Sequence, residues 1–522
     1  MMSQHTTSSS QPKQARYKGP QKPVGPADWL AGALLAALYL SSRWVNILAL
    51  PIFSDESLHI VRARRMLAGG NFLQGTAAGK FLYIWLLAPA LTLHQNPLLV
   101  ARGLSAAVGL AGGMAAILLA RALWPGRSSG WLTGLVYIFV PLTLMNERMA
   151  LTDSLLATVA TLILLLSLKA IQQPRRITEV ALGLCLGAAL LTKLSGLVYF
   201  AVPIAAVFFL RRPAQPVKLP VVPYLIAAAM VLPTVGESFN QFIIEATRSA
   251  LNPNRSPVPA LSWMGYGLGE TWFDLHTYVT WPVLLPAAAR LVVGWRRGER
   301  TAPLLVFLLV ITPATYIGLA RSIWFSRYLL PIAPIIVVLA AQALHELGGL
   351  LAQRVGREGR QVWQTALCLL CLLPALTFDY RLITGPDRAP FTPADRWQYV
   401  SGWPSGYGLP EAVVWLEQAA VRQGGATVVS ISYQGPTREG MSIYLQRSAA
   451  NVQLIELGGD DSPEESLSWL VVAQSKPLAL LLNEPNDRPS AAVDALCPET
   501  LAVFERPRNR SRLVLRACSG GP

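Results

Sequence analysis

The sequence predicts a polytopic α-helical membrane protein of about eleven transmembrane helices, followed by a small C-terminal α/β extracytoplasmic domain. Three observations predict it. Of 522 residues, 52% are hydrophobic and only 14% charged, against about 25% charged in soluble domains. The apolar residues fall in long charge-poor blocks, each near the ~20 residues a helix needs to cross a bilayer. After about residue 384 those blocks give way to short strand-like and helix-like runs in alternation. A net charge of +15 would suggest nucleic acid in a soluble chain. Here Arg and Lys gather in short loops between apolar blocks, which sets membrane orientation instead, and no nucleic-acid partner is expected. Five cysteines are too few for a disulfide scaffold, and no Cys/His cluster has zinc spacing.

Residues 1–28 are polar, rich in Ser, Thr and Gln, and carry Lys13, Arg16, Lys18 and Lys22 without a cleavage-site pattern. They read as a disordered cytoplasmic tail. Positive charge marks the inner side, so the first helix, residues 29–51, runs outward. Arg43 within it reads as snorkelling toward the outer surface. The helix delivers Phe53-Ser54-Asp55-Glu56 to that surface. Ser54 can cap a helix whose first turn holds Asp55 and Glu56, which suits the helix dipole. Ionisable groups beside a bilayer are equally a functional signal, and at this point both readings stay open. Residues 57–67 mix apolar side chains with Arg62, Arg64 and Arg65, as in a helix lying in the interface. Residues 81–93 are too short to span and read as re-entrant or interfacial. Gly79-Lys80 lacks the first glycine and the following Ser/Thr of a phosphate-binding loop, so that motif is set aside.

Residues 98–123 return inward, and residues 131–145 go out again to deliver Glu147, Arg148 and Asp153. The next span descends to Lys169. Residues 180–210 are apolar with basic flanks at both ends, so the chain goes out and comes back, turning at Lys193–Gly196. A span over 219–236 leads to a long outer loop reaching Thr280, with Trp263, Trp272, Phe273, Asp274 and His276. Its aromatic residues read as an interfacial belt or as a stacking surface for a ligand. Further spans end at Arg296, at Ala320 and, after the outer turn Arg321 to Tyr328, at Arg354. The last, residues 362–382, exits outward. Cys368 and Cys371 lie within it as core residues. The domains are thus 1–28, 29–383 and 384–522. In the last, helices are expected over 411–423, 441–447 and 463–472. Strands are expected over 427–433, 452–457 and 478–482, with a terminal hairpin. Cys497 and Cys518, both outside the cytoplasm, are either paired or free.

With this topology the outer helix ends gather Asp55, Glu56, Lys80, Glu147, Arg148, Asp153, Lys193, Arg321 and Arg327. Carboxylates and cations at one membrane face fit a reaction on a lipid-linked phosphate. One carboxylate accepts a proton, while the cations, or a divalent metal held by acids, stabilise the leaving phosphate. The competing account is that charges simply collect and pair in outer loops.

Several segments, in order, resemble the C-type (GT-C) glycosyltransferases. They are the acidic pair in Phe53-Ser54-Asp55-Glu56, then Lys80-Phe81-Leu82-Tyr83, Ala101-Arg102-Gly103, Arg148 to Asp153, Leu191-Thr192-Lys193 and Arg327-Tyr328-Leu329-Leu330-Pro331. The branch they resemble holds family 39, with the protein O-mannosyltransferases and the lipid A aminoarabinose transferase. The resemblance spans about residues 29–382. Where such enzymes usually have Lys-Pro-Pro, this chain has Lys80-Phe81-Leu82.

The resemblance implies an inverting hexosyl or pentosyl transfer from a polyprenyl-phosphate carrier to an acceptor hydroxyl outside the cytoplasm. The acceptor would be a glycolipid, a polysaccharide or a protein. By matching position, Asp55 would be the general base and Glu56 would orient the acceptor or Asp55. Lys80, Arg148, Lys193, Arg321, Arg327 and Tyr328 would bind the carrier phosphate, and Glu147 and Asp153 would orient those cations or hold a divalent metal. A lipid-linked sugar transporter or flippase is the alternative, but transporters place ionisable groups near the bilayer midplane. An anchored binding protein would need one span, not eleven.

Overall fold

The computed structural model describes residues 25–73, 80–124, 127–211, 220–237, 260–319, 324–355, 359–431, 436–446, 448–457, 463–473, 478–508 and 511–518. The sequence readings on the N-terminal tail before residue 25, the 74–79 loop, residues 238–259 and Arg321 lie outside them. The membrane part begins with α1 (Pro26–Trp44), α2 (Ser54–Leu67), α3 (Phe81–Ala90) and α4 (Pro97–Leu123). It continues with α5 (Arg127–Phe139), α6 (Pro141–Glu147), α7 (Thr152–Gln172) and α8 (Arg176–Thr192).

Among the described residues, five helices are long and apolar enough to cross a membrane, or seven if each of two bent pairs is one span. The eleven expected from hydropathy are not met by that criterion, because several expected spans are broken. The stretch expected to cross over 131–145 is α5 and α6, bent by 61° where Pro141 removes a backbone donor. The 180–210 stretch does break at Lys193: α8 ends, a 3-10 turn runs over Leu194–Phe200, and a helix resumes at Ala201–Leu210. A Cβ on Gly196 would stand 2.1 Å from the Ala189 carbonyl oxygen, so only glycine lets the turn fold back on α8.

Two other expectations change. The outer-loop aromatic residues lie on a helix, Ala260–Tyr278, which meets Trp281–Arg296 at 111°. Their polar-aromatic composition hides a helical run that packs against Thr301–Leu319. Arg43 does not snorkel. It is fully buried, with Nη2 2.7 Å from Glu147 Oε2, since a guanidinium inside a bundle is cheapest where a carboxylate answers it. Gly109 makes room for that pair: a Cβ there would stand 2.4 Å from both the Glu147 carboxyl carbon and the Tyr39 hydroxyl.

The C-terminal part holds a five-stranded sheet in the order β2-β1-β3-β5-β4. Its strands are β1 (Ala426–Ser430), β2 (Val452–Glu456), β3 (Leu478–Glu484), β4 (Glu499–Glu505) and β5 (Arg512–Cys518). The β1 pairings to β2 and β3 are parallel, and β5 pairs antiparallel with both β3 and β4. The expected helices appear as Leu409–Gln423, Met441–Leu445 and Pro463–Ala473, and Ala491–Leu496 is an added one. Cys497 and Cys518 form a disulfide that ties the start of β4 to the end of β5.

This part is not a detached module. Ser54 donates its backbone N–H to the Pro404 carbonyl at 3.1 Å. Tyr444 OH bonds the Ile52 N–H at 3.1 Å, and Phe53 meets Tyr399 edge to face. One continuous apolar core joins Ile52 and Phe53 to Leu409, Val428 and Met441.

Candidate active site

The site starts from α2. Helix α2 opens at Ser54 with Phe53 as its cap residue, so Ser54 is not the cap. Glu56 accepts the Phe53 N–H at 2.9 Å and closes the first turn. The same carboxylate accepts Arg102 Nε at 2.8 Å, Arg102 Nη2 at 2.7 Å and the Ala150 N–H at 2.8 Å. Arg102 also donates to the carbonyls of Ile47, Leu50 and Pro51. Glu56 is fully buried and all its lone-pair directions are used, so it cannot touch an acceptor. What remains of its expected role is to hold Asp55 in place.

Asp55, one residue earlier, presents a partly exposed carboxylate. Its Oδ2 accepts Arg327 Nη2 at 3.0 Å. Arg327 Nε stands 3.9 Å from Asp153 Oδ2, and Lys193 Nζ donates to Asp153 Oδ1 at 2.9 Å. Asp55, Arg327, Asp153 and Lys193 thus form one line of alternating charge. Asp153 comes from the first turn of α7 and Lys193 from the break after α8. Arg327 and Tyr328 come from the 3-10 turn Ser326–Ile332. The Lys193 ammonium lies 4.8 Å from the Tyr328 ring centre and 5.3 Å from that of Tyr316. Those two rings stack at 4.5 Å. The Arg327 guanidinium sits 4.4 Å over Phe325. Aromatic faces hold both cations by cation–π attraction while leaving part of their charge uncommitted.

Lys80 belongs to the same field. Burial lowers its pKa, as do the charges of Lys193, Arg327 and Arg62, with Asp55 opposing them. Burial would raise the pKa of Asp55, yet Arg327, Lys80, His59 and Lys193 together outweigh it and bring Asp55 to about 2. Its ordinary value is 3.8, so any stability it adds is present above pH 3.8 and lost as pH falls through about 2.

His59 sits behind Asp55, buried, donating Nδ1–H to the Ala150 carbonyl at 2.9 Å. Burial and nearby Lys80 bring its pKa down to about 3 from 6.5. A neutral His59 is therefore built in, and folded protein cannot take up the proton that unfolded chain accepts below pH 6.5. The melting temperature is expected to fall from pH 6.5 toward pH 4, with up to roughly 1.4 kcal/mol lost per pH unit to this one group. His59→Gln should flatten that slope; calorimetry at stepped pH measures it.

The turn bearing Arg327 is anchored by two acids the sequence reading passed over or used otherwise. Trp324 Nε1 donates to Asp274 Oδ2 at 2.8 Å. Asp395 accepts Tyr278 OH at 2.6 Å and the Ser326 hydroxyl. Asp395 lies in the C-terminal part, which therefore helps build the site. The available signal was the acid itself, a lone Asp in Phe391-Thr392-Pro393-Ala394-Asp395, too common a pattern to single out.

Two expected site residues lie elsewhere. Arg148 spends its guanidinium on backbone carbonyls: Nη1 donates to those of Ser42, Arg43 and Val45, and Nη2 to that of Asn46. It caps the end of α1, whose last carbonyls have no helical partners. Glu147 holds Arg43, Tyr39 at 2.9 Å and Tyr137 at 2.6 Å. It shares no ligand set with Asp153, and among the described residues no three His, Cys, Asp or Glu come together as a metal group. The residues named for a divalent ion therefore do not fit one as a pair.

Residues 66–235 match the family model described as dolichyl-phosphate-mannose-protein mannosyltransferase. No curated protein sequence matches the chain. The apo structure of ArnT from Cupriavidus metallidurans superposes with a TM-score of 0.62 at 16% identity, covering 95% of this chain and 98% of that one. ArnT bound to undecaprenyl phosphate gives 0.59 at 16%, with 94% and 98% covered. The oligosaccharyltransferase of Archaeoglobus fulgidus, in complex with zinc and sulfate, gives 0.54 at 13%, with 86% and 67% covered. Asp55, Glu56 and Arg327 lie outside the matched segment, whereas Lys80, Arg102, Asp153 and Lys193 lie inside it. Over 95% of its length the chain is a multi-pass membrane protein with the fold of the ArnT structure.

Proposed function

We propose that the protein transfers a sugar from a polyprenyl-phosphate carrier to an acceptor hydroxyl at the outer membrane face, with inversion, using Asp55 as general base. The observation that carries this reading is the Asp55–Arg327–Asp153–Lys193 line, in which a half-buried carboxylate and two aromatic-backed cations meet at one end of the helix bundle. The likeness to ArnT, whose structure is known with undecaprenyl phosphate, supports the choice of carrier. The mannosyltransferase family match supports the reaction class.

The carrier phosphate competes with Asp55 and Asp153 for Arg327 and Lys193. As it takes up those donors, Asp55 loses its guanidinium partner and its basicity rises. The acceptor O–H gives its proton to Asp55 while its oxygen bonds to the anomeric carbon. The bond from that carbon to the phosphate oxygen breaks, and the electron pair leaves with the polyprenyl phosphate. Arg327 and Lys193, with Lys80 nearby, stabilise that charge. Attack from the side opposite the leaving group gives inversion. The acceptor is a hydroxyl of a glycolipid, a polysaccharide or a protein.

Lys193→Gln removes one charge-assisted phosphate contact, worth about 1.5–3 kcal/mol. It should weaken binding of undecaprenyl phosphate by roughly 10–100-fold, measured by scintillation proximity or native mass spectrometry. Undiminished binding by this variant would take Lys193 out of the phosphate site.

A further inference from the structure

A cavity of about 790 Å³ opens between α1, α4, α5 and the start of the helix Arg360–Thr384. It belongs to the end of the bundle away from Asp55. Arg102, which grips Glu56, and Arg121, which lines the cavity, both lie on α4, and nineteen residues of helix separate them by about 28 Å. That distance is close to the ~30 Å hydrocarbon thickness of a bilayer. The cavity therefore faces the opposite leaflet.

Its walls are apolar side chains such as Leu34, Met114 and Leu118, which turn outward from the protein. Trp29 and Trp131, near the first turns of α1 and α5, line it as well, at the depth where indole rings meet headgroups. Two polar features break this wall. The Arg121 guanidinium, in the last turn of α4, makes no hydrogen bond or ion pair among the described residues. Gln364 lines the cavity as well, with its Nε2 turned to the His345 carbonyl at 2.9 Å. A guanidinium with no partner among the described residues, beside aliphatic walls, is complementary to one kind of occupant: a lipid with a phosphate headgroup.

We infer that this cavity is a binding site for one anionic phospholipid of the leaflet opposite the reaction face, with its phosphate on Arg121 and an acyl chain along α1 and α4. Basic pockets between membrane helices hold anionic lipid headgroups on the same physical grounds. The site is separate from the carrier-phosphate line and does not depend on the assignment of that line.

The test uses the full chain in detergent, titrated with phosphatidylglycerol or phosphatidylcholine and followed by native mass spectrometry. One tightly held phosphatidylglycerol is expected, with a preference over phosphatidylcholine of about tenfold. Arg121→Gln should bring that preference close to one. Gly32 also lines the cavity, and a Cβ there meets nothing within 4 Å. Gly32→Phe should therefore fill the groove and lower retention of both lipids, with the melting temperature reporting that the variant folds. Equal retention of the two lipids by the unaltered protein would overturn the inference. So would phosphatidylglycerol retention that neither variant changes, or retention of undecaprenyl phosphate alone.

Discussion

Asp55→Asn is expected to lower sugar transfer by ~10²–10⁴-fold, the range a positioned general base contributes. Protein yield and melting temperature should stay near those of the unaltered chain. The amide keeps the size of the side chain and can still accept a hydrogen bond from Arg327 through its oxygen. It cannot take a proton from the acceptor. Binding of undecaprenyl phosphate should hold or improve, because the carboxylate that competes for Arg327 is gone. A fall in turnover alongside intact carrier binding is the signature of a base. Normal turnover by this variant in a carrier-lipid assay would remove Asp55 from that role. With the free carboxylate ionising at about 2, kcat/KM should also show no acid limb from Asp55 between pH 7 and pH 4.

The adjacent carboxylate should behave in the opposite way. Glu56→Ala leaves Arg102 buried with its charge unanswered, and breaking a buried pair by removing one partner costs about 3–5 kcal/mol. A lower melting temperature and poor recovery from membranes are expected, with activity lost in proportion to folded protein. Arg102→Ala should cost a similar amount. The double variant should cost less than the two summed, because both residues serve one network. A Glu56 variant of undiminished stability but no activity would instead give Glu56 a direct part in the reaction. The contrast follows from geometry. Glu56 meets Arg102, the Phe53 N–H and the Ala150 N–H, whereas Asp55 meets a cation that a phosphate can reclaim.

Hydropathy, basic loops and the order of short motifs were enough to read a multi-pass helical protein with a C-terminal sheet, and to name Asp55, Lys80, Lys193 and Arg327 as neighbours. These are properties of composition and local spacing, and membrane insertion acts on them directly. The sequence reading also found the break at Lys193, because a charge between two short apolar runs with basic flanks admits few paths. It misplaced Arg43, Arg148 and Glu147. A charge within an apolar stretch looks the same whether it snorkels, caps a helix end or meets a buried partner. Only the packing of α1 against α5 and α6 brings Arg43 to Glu147 and Arg148 to the carbonyls at 42–46.

What the chain alone determined, then, is which residues carry charge at the Asp55 end of the membrane part. Tertiary structure decided which of those charges are spent on holding the bundle together and which stay available to a substrate. It also brought Asp395, from beyond the last membrane helix, beneath the turn that carries Arg327. The physical reason is that a buried charge is stable only with a partner, and the partner lies up to hundreds of residues away along the chain. Distance in sequence carries no record of that pairing until the helices pack.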